Sequence, residues 1–314
     1  MAPEKESTIA QSVIEALLDD SRLFPARHLL FFSDMTRDDL SQIVDVWPRV
    51  SVARKISLLS DLETMMEADS LLSCDALAKF ALDDEDPQVR SRAISLLWEC
   101  EDHKLVPVFN EKLDKDPSEL VQVTAAAGLG RFVLMGELDE IPESAGRQAI
   151  ALLKKKLAEK PPRDIQQEIM KSLAYTGGAQ VSGLIDKAYA ENDATWRLAA
   201  VIAMGRTADE RWEKPVLDAI QDDSLPFQIE AVKAAGELEL ESARLPLLEM
   251  VEDEISDLEL RLQTIWALSR IGGEDVREAL QDLLESAEDE EEIEVLELAL
   301  EHLDFSEELP DLDL

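Results

Sequence analysis

The side chains that most often act in catalysis do not point to a single site in this chain. Histidine and cysteine are scarce, and carboxylates are too numerous to indicate one position. The three histidines are His28, His103 and His302, and the two cysteines, Cys74 and Cys100, have no CxxC spacing. Such cysteines indicate neither a zinc site nor a disulfide framework. Both fall at apolar helix positions, so we predict buried free thiols in a reducing cytosol.

Carboxylates are abundant, with 69 Asp and Glu side chains. Pairs such as Asp83-Asp84 could supply a general acid and a general base, but that chemistry needs a shared cleft and two different pKa values. The acidic turn at 83–86 does not match an EF-hand loop, and the patterns GxxxxGK[ST], GxGxxG and GxSxG are missing from the sequence. The sequence therefore predicts no catalytic residue, no metal site and no cofactor.

The acidic charge is large and unevenly placed. The formal net charge is −38, and residues 241–314 hold 25 acidic side chains against four arginines, a net of −21. This field argues against nucleic acid as a partner, because such binding depends on Lys and Arg at phosphates. Two interpretations stay open: the acids keep the protein soluble and apart from its copies, or they form a face for a basic partner.

The sequence also bears on location. No apolar run approaches the roughly 18 residues that mark a bilayer-spanning helix. The first residues, MAPEKESTIAQS, lack the basic-then-apolar order of a signal peptide. We therefore expect a cytoplasmic protein that does not interact with membranes.

A sequence motif of ten residues, called the phrase here for short, recurs along the chain and indicates its secondary-structure elements. The phrase begins at Val89, Val121, Trp196, Phe227 and Leu260, and its first two copies read VRSRAISLLW and VQVTAAAGLG. Its spacing is near 31, and a fixed period between about 20 and 50 residues is typical of a solenoid. Few glycines and 5% aromatic residues favour an all-α chain.

One repeat, Leu71 to Cys100, is predicted as a helical hairpin. Apolar residues recur at helical spacing before and after the polar turn 83–87. Pro87 suits the first turn of the second helix, and Asp86 can cap it. About eight such hairpins fit the chain.

The order of an Asp-Pro turn, Val-Arg, Ala and Leu-Gly resembles the short bacterial type of HEAT-like repeat, first noted in phycobilin lyase subunits. The segment DEDPQVRSRAISLLWE at 84–99 matches best, and the likeness covers residues 71–303. The resemblance implies an all-α, right-handed superhelical α-solenoid whose second helices line a concave face. It implies little about activity, because such repeats occur in scaffolds, adaptors, lyases and hydroxylases.

We divide the chain on this pattern into four parts. They are an N-terminal helical cap with degenerate repeats (1–70), HEAT-like repeats (71–275) with an insertion loop near 136–146, a C-terminal capping helix pair (276–303) and an acidic tail (304–314). Terminal repeats depart from consensus because one face meets solvent.

Asp and Arg lie four residues apart at the start of the second helix in three repeats. These pairs are Asp86 and Arg90, Asp193 and Arg197, and Asp257 and Arg261. The Asp favours the helix N-terminus, and the Arg can bridge that Asp or the Asp of the next repeat. In HEAT-like arrays such residues resemble a structural inter-repeat ladder. Glutamine replaces the Arg at Gln122, Gln166 and Gln228, so we expect the ladder to be interrupted there.

Arginine directly follows the end of the phrase in three repeats, at Arg131, Arg206 and Arg270, and Tyr175 follows it in another. If the second helices line a concave face, the arginines lie near one rim of it. Arg and Tyr are enriched at interface hot spots. These four residues are our candidates for partner binding.

The leading functional hypothesis is a non-enzymatic scaffold or adaptor that binds a protein or peptide along its concave face. The alternative is an accessory subunit of an enzyme assembly of the lyase or hydroxylase type. Deoxyhypusine hydroxylase, a HEAT-like enzyme, uses His-Glu dipeptides as iron ligands, and no histidine here is followed by Glu. HEAT-like DNA glycosylases need a basic groove, which the net charge argues against.

Overall fold

The computed structural model of the chain describes residues 3–69, 71–252 and 257–308, with side chains within 10–69, 71–251 and 257–305. Two compact units make up the chain, Met1–Ile169 and Met170–Leu314. Within the described residues every regular element is an α-helix or a short 3-10 helix. The predicted all-α repeat fold is confirmed.

The first unit holds helices joined by short polar turns. Side-chain caps explain several starts: the Asp86 side chain accepts hydrogen bonds from the amides of Gln88 and Val89, and Thr36 and Asp39 form a capping box. The helices are α1 (Pro3–Leu18), α2 (Arg37–Val46), α3 (Val52–Ala68), α4 (Asp75–Ala81), α5 (Pro87–Ser95), α6 (Leu105–Lys115), α7 (Glu119–Glu137), α8 (Glu143–Ala158) and the start of α9 (Arg163–Leu173).

The second unit continues the same alternation of helices. After the end of α9, a single 3-10 turn and Gly177 lead into the next hairpin. The helices are α10 (Gly178–Tyr189), α11 (Ala194–Gly205), α12 (Glu213–Ile220), α13 (Leu225–Glu237), α14 (Arg244–Glu252), α15 (Leu258–Ile271), α16 (Glu274–Ser286) and α17 (Glu290–Glu308).

Each unit packs as a row of second helices with the first helices alongside. In the first unit α5 lies between α3 and α7, and in the second unit α11, α13, α15 and α17 contact one another in turn. The first helices α4, α6, α10, α12, α14 and α16 each pack on the helix that follows them. Small alanines at the contacts, such as Ala93, Ala125, Ala200 and Ala231, are fully buried and let the helices approach closely.

The loop predicted at 136–146 is shorter than expected. Helix α7 continues to Glu137 and α8 begins at Glu143, so only residues 138–142 connect them. Gly136 and Gly146 face each other where α7 and α8 cross, and a Cβ on Gly136 would lie 2.8 Å from the Gly146 Cα. The glycines therefore permit a close helix crossing instead of forming a turn.

Two other helix ends differ from the sequence prediction. Helix α5 stops at Ser95 and is followed by a turn, although the apolar pattern continues to Cys100. Helix α17 extends to Glu308, so the first five residues of the predicted acidic tail are helical. Residues 309–314 of that tail lie outside the described residues.

Candidate functional site

The three ladder acids cap their own helices. The carboxylates of Asp86, Asp193 and Asp257 accept backbone amide protons from the first turns of α5, α11 and α15. This placement satisfies amides that have no partner inside the helix. Each acid therefore caps the second helix of its own repeat.

The three ladder arginines reach forward to an acid of the next repeat. The best-formed contact is bidentate: Arg90 Nε and Nη2 donate to the two Asp116 carboxylate oxygens at 2.8 and 2.7 Å. Both side chains are buried, and Arg90 Nη1 also donates to the carbonyls of Asp84 and Glu85. The other two contacts join Arg197 to Asp222 at 3.4 Å and Arg261 to Glu292 at 2.5 Å.

One rung was not anticipated. Lys55 Nζ lies 2.8 Å from Asp84 Oδ2, and Trp47 Nε1 donates to the same oxygen at 2.7 Å. Lys55 follows the N-cap Ser51 by four residues, as Arg90 follows Asp86. The four-residue spacing is a sequence signal for this rung. The rung was not predicted because Ser51 and Lys55 do not match the Asp–Arg pattern of the other repeats.

The glutamines bond within their own repeat. Gln122 Nε2 donates to the Asp116 carbonyl and Gln166 Nε2 to the Pro161 carbonyl, both at 2.7 Å. Gln228 Nε2 donates to the Ile220 carbonyl at 2.9 Å. Each bond ties the second helix to the turn before it, so these bonds do not extend the ladder to the next repeat.

The buried ladder acids are held ionised. Burial alone would raise the pKa of Asp116, but hydrogen bonds from Arg90 and the Ser118 amide outweigh it and lower the pKa below the ordinary value. The same balance lowers the pKa of Asp84, where the bonds come from Lys55, the Asp86 amide and Trp47. At neutral pH both rungs are ion pairs.

Two of the candidate arginines contact the preceding repeat. Arg131 Nε donates to the Trp98 carbonyl at 3.2 Å, and its guanidinium lies 5.7 Å from the Trp98 ring centroid. Arg206 Nη1 donates to the Lys171 carbonyl at 3.3 Å and lies 5.1 Å from the Tyr175 ring. Arg206 and Tyr175, both candidates, are thus brought together.

Arg270 contacts its neighbours on both sides. Its Nη2 donates to Glu239 at 2.5 Å, and its Nη1 lies 3.0 Å from His302 Nε2. His302 lies 32 residues after Arg270, about one repeat further along the chain, and so occupies the equivalent position in the next repeat. Sequence reasoning left this histidine without a role, although the repeat spacing places it beside Arg270.

A cavity of about 560 Å³ lies in the first unit between α3 and α7. Its floor is apolar and buried, and its rim holds exposed Trp98 and three carboxylates. The lining residues include Glu63, Glu67, Ile94, Leu97, Trp98, Glu99, Phe109, Ala127, Gly128, Arg131 and Phe132.

The cavity has a simple structural cause. Helix α5 has nine residues, whereas its neighbours α3 and α7 have 17 and 19. Helix α5 therefore ends at Ser95, and the turn that carries Trp98 lies where the helix would otherwise continue. Gly128 completes the floor, because a Cβ there would lie 2.8 Å from the Phe109 ring.

A family model described as HEAT repeats matches residues 74–174 and 213–301, more than half of the chain. The chain belongs to the HEAT repeat family. The matched residues include those of the cavity floor and of the rungs at Arg90 and Arg261. Between them, residues 175–212 contain one more helical hairpin, α10 and α11, with the rung at Arg197.

Three solved structures resemble the chain at low identity. Human deoxyhypusine hydroxylase in complex with glycerol is 18% identical over 97% of this chain and 100% of that chain, with a TM-score of 0.38. E. coli YibA is 15% identical over 89% and 95%, with a TM-score of 0.41. A chain of the Kap95p–RanGDP complex is 14% identical over 96% and 45%, with a TM-score of 0.41. No curated protein sequence matches the chain.

The cysteines of this HEAT repeat protein are buried free thiols, as predicted. Burial raises the pKa of Cys74 to about 12 and that of Cys100 to about 11, so neither is a thiolate at neutral pH. The Cys100 thiol donates to Asp75 at 2.7 Å.

In the described part of the chain, no group of three or more His, Cys, Asp or Glu side chains is arranged as a metal site. Among the same residues, no helix has the length and apolar character needed to cross a membrane.

Proposed function

We propose that this HEAT repeat chain is a non-enzymatic scaffold or adaptor that binds a protein or peptide partner on the outward faces of its second helices. The candidate arginines mark these faces. In each of their helices, the residues four and eight positions before the arginine are apolar and half-buried: Val123 and Ala127, Leu198 and Ile202, Leu262 and Trp266.

This spacing is the observation that carries the proposal. Residues at i, i+4 and i+8 share one helix face, so each arginine ends a partly exposed apolar stripe. Many exposed positions of the first helices are instead charged, as at Glu111 in α6, Asp218 in α12 and Glu278 in α16, although Leu245 in α14 is also exposed. Apolar surface rimmed by charge is typical of protein interaction sites.

The guanidiniums of Arg131 and Arg206 can bind a partner although they also contact side chains of their own chain. Arg131 is held against Trp98 and Arg206 against Tyr175, which fixes their rotamers before a partner arrives. A pre-ordered side chain loses less entropy on binding than a free one. The net charge of −38 favours a partner with basic residues.

Site-specific photo-crosslinking in cells tests the proposal. A photoreactive residue at Ala127 or Leu198, on second helices, is compared with one at Glu111 or Asp218, on first helices. We expect protein crosslinks from the second-helix positions and few from the first-helix positions. Crosslinks confined to Glu111 and Asp218, or none at any position, would contradict it.

A further inference from the structure

The cavity between α3 and α7 is a hollow in the surface of the first unit, lined by the second helices and by Phe109 of α6. Its volume of about 560 Å³ falls in the range of roughly 300–1,000 Å³ typical of ligand pockets. Ile94, Leu97, Phe109 and Phe132 on its floor are at most 2% exposed. Above this floor Trp98 is exposed and Met66 and Ala127 are half-buried, and this apolar surface suits an aliphatic or aromatic side chain.

The rim adds a charge preference. Glu63, Glu67 and Glu99 lie around the opening, and Glu67 and Glu99 are exposed. The guanidinium of Arg131 lies 3.8 Å from Glu99 and against Trp98, and Arg92 pairs with Glu63 at 3.0 Å. Three carboxylates therefore face two guanidiniums, and the exposed Glu67 is available to a cation.

We propose that this cavity is an anchor site for a peptide segment of the partner in which an apolar side chain stands next to Lys or Arg. The apolar side chain fills the space that the short α5 leaves open. The adjacent cation lies at the rim beside Glu67. The inference rests on the proposed function and names the part of the partner that the first unit recognises.

Trp98 is the rim residue that a bound peptide would cover. It is 42% exposed, an unusual state for a large aromatic side chain, and its ring is held by the Arg131 guanidinium. An aromatic side chain ordered in this way contributes contact area at little entropic cost. Its indole fluorescence should therefore change when the cavity is occupied.

The test uses a display library of random 12-residue peptides selected on the immobilised full chain. Individual enriched peptides are then titrated by fluorescence anisotropy against the wild type, Ala127→Trp and Ala53→Trp. Ala127 lines the cavity, whereas Ala53 is an exposed residue of α3 outside it. Circular dichroism melting establishes that both variants are folded.

We expect enriched peptides to pair an apolar residue with Lys or Arg, and their affinity to fall about tenfold or more in Ala127→Trp but not in Ala53→Trp. Glu67→Gln should weaken binding about threefold and flatten its salt dependence, and Glu278→Gln in α16 should not. Peptides that bind folded Ala127→Trp as well as wild type would overturn the anchor site and leave the proposed function standing. A library that yields no binding peptide would also overturn the anchor site, while photo-crosslinking from Ala127 and Leu198 decides the proposed function.

Discussion

Arg90 and Arg197 occupy the same position in their repeats but differ in burial. The Arg90 side chain is 10% exposed and its bond to Asp116 is bidentate, whereas Arg197 is 40% exposed and lies 3.4 Å from Asp222. A charge left buried without its partner is costly, while a surface pair contributes little. Equivalent residues in the ladder should therefore differ in their contribution to stability.

Arg90→Ala should lower the free energy of unfolding by about 3 kcal/mol, because it leaves the Asp116 carboxylate buried and unpaired. Arg197→Ala, the matched control, should cost less than about 1 kcal/mol. Urea unfolding followed by circular dichroism measures both. Equal losses in the two variants would show that the ladder does not stabilise through burial.

The lowered pKa of Asp116 gives a pH prediction. A folded pKa below the unfolded value of about 3.9 means that the stabilisation is complete above that value and is lost as the pH falls through the folded pKa. The difference in unfolding free energy between wild type and Asp116→Asn should therefore be constant from pH 7 to about pH 5 and shrink below about pH 4. A difference that persists unchanged at pH 3 would be inconsistent with an ionised buried rung.

At the scale of elements, helix length decides where the surface opens. The repeated phrase predicts each second helix, because apolar spacing of 3.6 follows from the need to cover a neighbour. It does not predict the end of α5, since the apolar pattern of Leu96, Leu97 and Cys100 continues through a turn in which these side chains are still buried. The cavity depends on that end, so it could not be located from the sequence.

Helices α7 and α8 show the opposite error: here the sequence predicts a loop, but the residues are helical. Gly136, Pro142 and Gly146 are typical of a loop, yet both glycines lie in helices. A glycine that allows two backbones to touch and one that forms a turn have the same sequence appearance. Only the contact between the helices distinguishes them.

Gly146→Ala should destabilise the chain by roughly 2 kcal/mol, because its Cβ would lie 2.9 Å from the Gly136 Cα, and backbone cannot yield as a side chain can. Gly183→Ala in α10 is the matched control, since a Cβ there meets nothing within 4 Å. That change should stabilise by roughly 0.5–1 kcal/mol through helix propensity. Thermal melting separates the two, and a stabilising Gly146→Ala would show that the crossing is looser than described.

For the whole molecule, net charge is the dominant electrostatic property. A charge of −38, with more than half of it in residues 241–314, repels itself in the compact state. Raising NaCl from 10 mM to 0.5 M shortens the screening length from about 30 Å to about 4 Å. We therefore expect the melting temperature to rise with salt; a fall would mean that surface ion pairs outweigh the repulsion.

Hydrogen exchange of the full chain, measured alone and with the partner that crosslinks at Ala127, shows whether the second-helix faces bind that partner. If the second-helix faces bind the partner, amide exchange should slow in α3, α5 and α7, with the turn around Trp98 among the protected segments. The first helices α4, α6 and α8 should exchange as in the free protein. Protection confined to those first helices, with none in the second helices, would contradict the account.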